Sequence, residues 1–241
     1  MAILHETVVD ETKEILNWKV QTHPTSSVPN KADLPLGNKA YEFETAVLYI
    51  DVRKSSNLPE QHRRVTAAKI YNAFLNGAVR IVRANHGEVR SFNGDSILAF
   101  FDPSQLPCMS AVRSALQLVY FVRKILRPQV AAKGYEQFID AGVGVSYGVI
   151  LATKAGIRGG DNNDLIWPST ATNLAAKLGD SADHPYNVAI AKPVYERIPD
   201  SWKHSDVWLP EVFATWYWKW ATFEFAGQRV EHLKTTEESE F

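Results

Sequence analysis

The run TAVLYIDV at residues 45–52 constrains this chain more than any other segment. It reads as a strand that carries one carboxylate near its end. Side chains alternate across a strand, so Val47, Tyr49 and Asp51 share one side and Leu48, Ile50 and Val52 the other. RKSSNL follows, and a helix begins at about Pro59, with Asn57 or a nearby serine as its cap. Ala68, Tyr71, Leu75, Ala78, Val79 and Val82 recur at three- and four-residue steps, giving that helix an apolar stripe. Gly87, after Asn85-His86, is its stop.

The next segment, GEVRSFNGDSILAFF, holds Asn93-Gly94 between two strand-like runs. Both residues tolerate positive φ, which makes this a strong hairpin signal. A second helix follows at about 108–127, with Ala111, Ala115, Leu118, Val119 and Val122 as its stripe. FIDAGVGVSYGVILAT reads as a pair of strands turning near Tyr147-Gly148. A polar loop then leads to the helix STATNLAAKLGD, capped by Ser169 or Thr170 and ended by Gly179. YNVAIA is a strand and KPVYERI a short helix. Five of seven tryptophans fall late, and Trp216, Trp218 and Trp220 alternate on one side of a strand. The order of elements is that of an α+β domain. We assign residues 1–40 to an N-terminal arm that reads as loop apart from a short helical pattern, 41–235 to the domain, and 236–241 to a tail.

Charge and cysteine content narrow the chemistry. With 26 basic and 27 acidic residues the net charge is −1, which gives no field for gripping a nucleic-acid backbone. The single cysteine excludes an internal disulfide framework and a Cys-rich zinc site. No apolar run approaches the ~20 residues of a membrane helix, and the acidic N-terminus is unlike a secretory signal. A cytoplasmic protein without membrane or nucleic-acid partners is expected. Gly159-Gly160-Asp161 lacks a hairpin context, the histidines show no HExxH spacing, and GVSYG is not a serine nucleophile elbow.

The chemistry-bearing pair is Asp51, at the strand end, and Asp95, directly after the hairpin glycine. If the strand and hairpin are neighbours, the two carboxylates meet at one sheet edge. Such a pair suits Mg²⁺ or Mn²⁺, and two such ions about 3.5–4 Å apart activate an attacking hydroxyl and steady the leaving oxygen. Residues 53–58 run into a helix N-terminus, where backbone N–H groups favour phosphate, and they include Arg53, Lys54, Ser55 and Ser56. Thr170, Asn173 and Lys177 form a polar stripe on the third helix, able to grip a sugar oxygen and a phosphate.

The succession AVLYIDVRKSS, GEVRSFNGDSILAFF, AGVGVSYGVI and LIWPSTATNLAAKL resembles the catalytic domain of class III nucleotidyl cyclases over roughly residues 43–200. The resemblance implies a ferredoxin-like fold with a mainly antiparallel central sheet flanked by helices. It also implies a homodimer with active sites between subunits, and conversion of a nucleoside triphosphate to its 3′,5′-cyclic monophosphate and pyrophosphate. Asp51 and Asp95 match the family's metal aspartates, and the Val52 carbonyl a further ligand, for two Mn²⁺ or Mg²⁺ ions. Arg53, Lys54, Ser55 and Ser56 match the triphosphate loop, although the usual Gly-Phe-Thr is here Lys-Ser-Ser. Asn173 matches the ribose-orienting asparagine. Lys177 stands where most members carry an arginine, keeping the charge but not the planar fork. Lys234 matches a late phosphate-binding lysine.

The departures bear on the substrate. Adenylate cyclases read the base with a lysine three residues before the hairpin glycine and an Asp or Thr seven before the helical asparagine. Those positions are Ser91 and Ile166, so a purine-reading pair is missing. Trp167 and Pro168 suggest a reshaped pocket, and Tyr49 is placed to meet a smaller base. The pattern is similar to the bacterial anti-phage pyrimidine cyclases of the Pycsar system. That resemblance implies UTP, with CTP as the alternative, and a cyclic pyrimidine messenger acting on a separate effector protein. Other readings are an adenylate or guanylate cyclase with an unusual base pocket and a degenerate domain that only binds nucleotide.

Overall fold

The computed structural model describes residues 2–53, 63–135, 139–159, 161–203, 218–225 and 227–237. Helix α1 (Ala2–Leu16) and a short strand β1 (Gln21–Pro24) precede the long strand β2 (Lys39–Arg53). Next come α2 (Arg64–Ala84), β3 (Gly87–Asn93), β4 (Ser96–Phe101) and α3 (Pro107–Tyr120). Helix α3 passes through a π-helical stretch, Phe121–Leu126, into α4 (Arg127–Ala132). The chain continues as β5 (Asp140–Gly156), β6 (Asn163–Ile166), α5 (Thr170–Ser181), β7 (Val188–Ala191) and α6 (Lys192–Arg197). Strands β8 (Lys219–Phe225) and β9 (Gln228–Thr235) close the order.

One sheet holds these strands in the order β3-β4-β2-β5-β7-β9-β8, with β1 on β2 and β6 on β5. Only β1/β2 and β5/β7 pair in parallel, so the sheet is mainly antiparallel, as expected of the α+β class. The alternation in β2 sorts its side chains as the sequence requires. Leu48, Ile50 and Val52 enter the main core against α2 and α3, and Val47 and Tyr49 turn to a second cluster with Phe100, Trp167 and Ala175.

Three readings need correction. Strand β5 does not turn at Tyr147-Gly148; it runs on, with Gly148 paired to Thr45. Its glycines serve close approach instead. A Cβ on Gly144 would lie 2.0 Å from the Ala175 carbonyl oxygen and 2.2 Å from the Gly179 nitrogen. Helix α2 buries Ala67, Ile70, Phe74, Ala78, Ile81 and Val82; Ala78 and Val82 lie on the expected stripe, whereas Ala68, Tyr71, Leu75 and Val79 give way to Ala67, Ile70, Phe74 and Ile81. The helix is apolar on more than one face: Ile70, Phe74 and Ile81 are buried, and Tyr71 and Leu75 pack against the same core only partly buried. The segment read as loop within residues 1–40 is docked over its second half. Residues 21–24 pair with 39–42, Val28 and Leu34 are buried, and the Val28 and Pro29 carbonyls accept hydrogen bonds from Arg90. Smaller differences follow the same logic: Gly179 lies inside α5, and Trp218 is buried while Trp220 is exposed. Helix α2 starts at Arg64, after an extended Arg63, and not at about Pro59; residues 54–62 and Trp216 lie outside the described residues.

Candidate active site

The hairpin carries the second carboxylate to the first. Asn93 pairs with Ser96, which leaves Gly94 and Asp95 as the two loop residues, and only Gly94 takes positive φ, at 62°. Glycine at the first central position is what a tight hairpin of that hand asks for. Strand β4 then pairs Ile97 with Ile50 and Leu98 with Tyr49. Continuing that register sets Asp51 beside Ser96, next to Asp95. On its other side, Asp51 pairs with Gly142 of β5, and Val52 with Ala141.

The electrostatics agree with this placement. The Asp51 carboxyl is pushed up to about 6, by burial first and then by the charge of Asp95. Arg53 opposes this shift, and Asp180 adds to it. Oδ2 of Asp95 is buried with no hydrogen-bond partner among the described residues. Two carboxylates that repel each other, one with an orphaned buried oxygen, fit a hard divalent cation. Among the described residues no group of three or more His, Cys, Asp or Glu side chains is poised for a metal. Tyr49 lies on the same side as Asp51. Burial raises its phenol, against a hydrogen bond with the Ser96 side chain.

Arg53 reaches the end of α5. Its guanidinium donates to the carbonyls of Gly179 and Ala182 and pairs with Asp183 at 3.5 Å. It thus satisfies the last carbonyls of α5, where a cation is favoured. Lys234 joins it there, with Nζ 2.5 Å from the Ser181 carbonyl oxygen. Lys54, Ser55 and Ser56 lie outside the described residues.

Helix α5 starts at Ser169, whose side chain accepts from the Ala171 N–H at 3.1 Å. It packs Ala171, Ala175, Leu178 and Gly179 inward, Gly179 lying against Tyr49. Asn173 and Lys177 therefore point outward and are exposed. No hydrogen bond or ion pair joins them to Asp51 or Asp95 among the described residues. The structure brings together Tyr49, Asp51, Val52 and Asp95, and leaves Asn173 and Lys177 on a surface of their own.

This arrangement has close relatives in sequence. A uridylate cyclase of Burkholderia cepacia is 34% identical over 216 residues, spanning 84% of this chain and 91% of that protein. This chain belongs to the nucleotide cyclase family of that uridylate cyclase. A uridylate cyclase of Rhodovulum sp. (strain MB263) is 32% identical over 194 residues, 76% of this cyclase and 79% of the other. Among solved structures, the adenylyl cyclase CyaB from P. aeruginosa shares the fold with a TM-score of 0.67 at 19% identity, over 83% of this chain and 97% of that one. No family model matches.

In this cyclase the two positions facing the base question stand apart. Ser91 pairs with Leu98 and thence with Tyr49, whereas Ile166 pairs with Thr153 and thence with Ala40. Ile166 is 45% exposed. Trp167 is buried, with its ring 4.5 Å from that of Phe100. Sequence reading missed Asp180, a third carboxylate felt by both Asp51 and Tyr49. The signal was present, because 180 extends the 170, 173, 177 stripe by one more three-residue step.

Proposed function

We propose that this cyclase converts UTP to 3′,5′-cyclic UMP and pyrophosphate at a site completed by a second copy of the chain. The observation that carries the reading is the pair Asp51–Asp95, gathered at one strand end with a raised carboxyl and an orphaned oxygen. Asp51, Asp95 and the Val52 carbonyl would hold two Mg²⁺ or Mn²⁺ ions, the rest of the coordination coming from substrate phosphate and water. Such ions acidify a ribose hydroxyl and neutralise a triphosphate.

The residues supply the positioning. The 3′-oxygen attacks the α-phosphorus, the bond from that phosphorus to the β-bridging oxygen breaks, and the hydroxyl proton is released. Asn173 of the partner subunit orients the ribose. Lys177 of the partner subunit stabilises charge on the α-phosphoryl group as it is displaced. The exposure of Asn173 and Lys177 on α5 supports this division, with no hydrogen bond or ion pair joining them to their own Asp51 or Asp95 among the described residues. Lys54, Ser55 and Ser56 are assigned to the triphosphate, and Tyr49, Ser91 and Ile166 to the base side. Arg53 contributes by fixing the end of α5 beside Asp51. Ile166 carries no hydrogen-bonding group and Ser91 lacks the reach of a lysine, so the pair that reads a purine is missing. The uridylate cyclase relatives favour uracil. The product is assigned as a messenger to a separate effector in anti-phage defence, on the sequence resemblance alone.

Cytidylate cyclases from Staphylococcus aureus and Escherichia coli also match, at 27% and 26% identity, which makes CTP the second reading. Incubating the purified protein with each of the four ribonucleoside triphosphates and Mn²⁺, then identifying products by mass, decides. Cyclic UMP as the main product is expected. Cyclic CMP, a cyclic purine nucleotide, or no product would overturn the UTP assignment.

A further inference from the structure

Helix α1 and one face of α2 are two exposed apolar surfaces that the catalytic reading does not use. From Ile3 to Leu16 every residue of α1 is exposed except the half-buried Val9. Leu4, Val8 and Ile15 are 68%, 52% and 50% exposed. At about 100° per residue these three fall within an arc of about 40°, a stripe made for a partner. The other flank of the helix is acidic, with Glu6, Asp10, Glu11 and Glu14 against the single Lys13.

The complementary surface is a groove of about 710 Å³ between α2 and β3. Leu75, Val79 and Phe92 form its floor, and Asn72, Arg80 and Arg83 its rim. Leu75 and Val79 belong to the stripe that the sequence pattern assigned to the core, yet both are left half-exposed, and Phe92 is 58% exposed. An apolar floor edged by two arginines matches an apolar stripe edged by four carboxylates.

We propose that α1 of one copy docks in the α2–β3 groove of a second copy, clasping the dimer. Reach favours the second copy over the helix's own chain. The arm is anchored where Gln21 pairs with Lys39, whereas Phe92 lines up through Ile97 with Ile50. Eleven positions along β2 separate these rows, about 36 Å at strand spacing. The middle of α1 extends at most about 27 Å from Gln21, counting extended residues and half the helix. The clasp rests on the two-copy assembly proposed above and on nothing about the nucleotide.

Cysteine cross-linking tests it without using activity. The native Cys108 is buried and its thiol pushed up to about 12, so it stays silent under mild oxidation. Chains carrying Val8→Cys and Val79→Cys, one of them enlarged by a tag, are mixed and oxidised with copper–phenanthroline. A covalent heterodimer at least tenfold over the homodimer bands is expected. Absence of that band, or closure of a doubly substituted chain only upon itself, overturns the proposal. In parallel, Leu4→Asp with Val8→Asp, both on the exposed face, weakens dimerisation at least tenfold by sedimentation. An unchanged dimer constant, or flotation of the wild type on phosphatidylcholine vesicles without cross-linking, counts equally against the clasp.

Discussion

Replacing Asp95 by asparagine separates a metal carboxylate from a turn residue. The Asp51 carboxyl lies about two units above its ordinary 3.8, reaching about 6. At 1.36 kcal/mol per unit, ionising it in the fold costs up to about 3 kcal/mol. Burial supplies the larger share and Asp95 the smaller, and partial exposure of Asp51 screens both. Removing the Asp95 charge therefore relieves on the order of 1 kcal/mol at most. The sign follows from linkage. A raised folded-state value means that the native chain holds the proton longer, so stability falls as pH rises from about 4 through 6. The relief is full above pH 6 and vanishes below pH 4, where Asp51 is protonated in folded and unfolded chains alike. For a chain of this size the gain is about 1–3 °C in Tm. Differential scanning calorimetry in EDTA at pH 7.5 reads it. Asp95→Asn should melt slightly above wild type, lose the stabilisation that Mn²⁺ gives the parent, and turn over about a thousandfold more slowly. A variant that melts below wild type in EDTA, or that keeps its turnover, refutes the reasoning, because Asp95 would then be supporting the hairpin alone.

Other consequences follow from the same geometry. Mn²⁺ affinity should weaken by up to about tenfold per pH unit below pH 6, because Asp51 must lose its proton to bind a cation; isothermal titration at pH 5, 6 and 7 measures this, and a flat profile contradicts the pairing. Gly144→Ala should destabilise by about 3 kcal/mol or more, as its Cβ would press on the Ala175 carbonyl at 2.0 Å; a chemical-denaturation midpoint within error of wild type would show that β5 and α5 can part. Arg53→Lys should lower Tm while leaving KM for the nucleotide little changed, since the guanidinium holds the Ala182 carbonyl at 2.8 Å; a KM rise at constant Tm would return Arg53 to the triphosphate.

What the sequence made legible was whatever depends on short period and local turn chemistry. The alternation of residues 45–52 sorted β2 correctly between its two clusters, and the Asn93-Gly94 signal set Asp95 at a hairpin tip beside Asp51. The misreadings share a cause, which is that one residue type answers two different physical needs. Gly148 suits a turn, but in β5 it stays paired in the strand, with the Ala171 Cβ 3.2 Å from where its own would stand. The Pro- and Asn-rich stretch at 21–38 has no periodicity because side chains of Arg90 and Lys154, distant in sequence, hold its carbonyls. The direction of Arg53 was invisible for the same reason, since the end of α5 that attracts it arrives 126 residues later.

Subunit complementation tests the shared site most directly. Asp51→Asn and Lys177→Ala chains, each inactive alone, are mixed in equal amounts with UTP and Mn²⁺ after exchange. Half of the random dimers are then mixed, and each of those keeps one site with both an intact carboxylate pair and an intact lysine. Cyclic UMP formation should return to about a quarter of wild type by this counting. No recovery above the separate variants, in a mixture shown to have exchanged subunits, would contradict a site built from two copies.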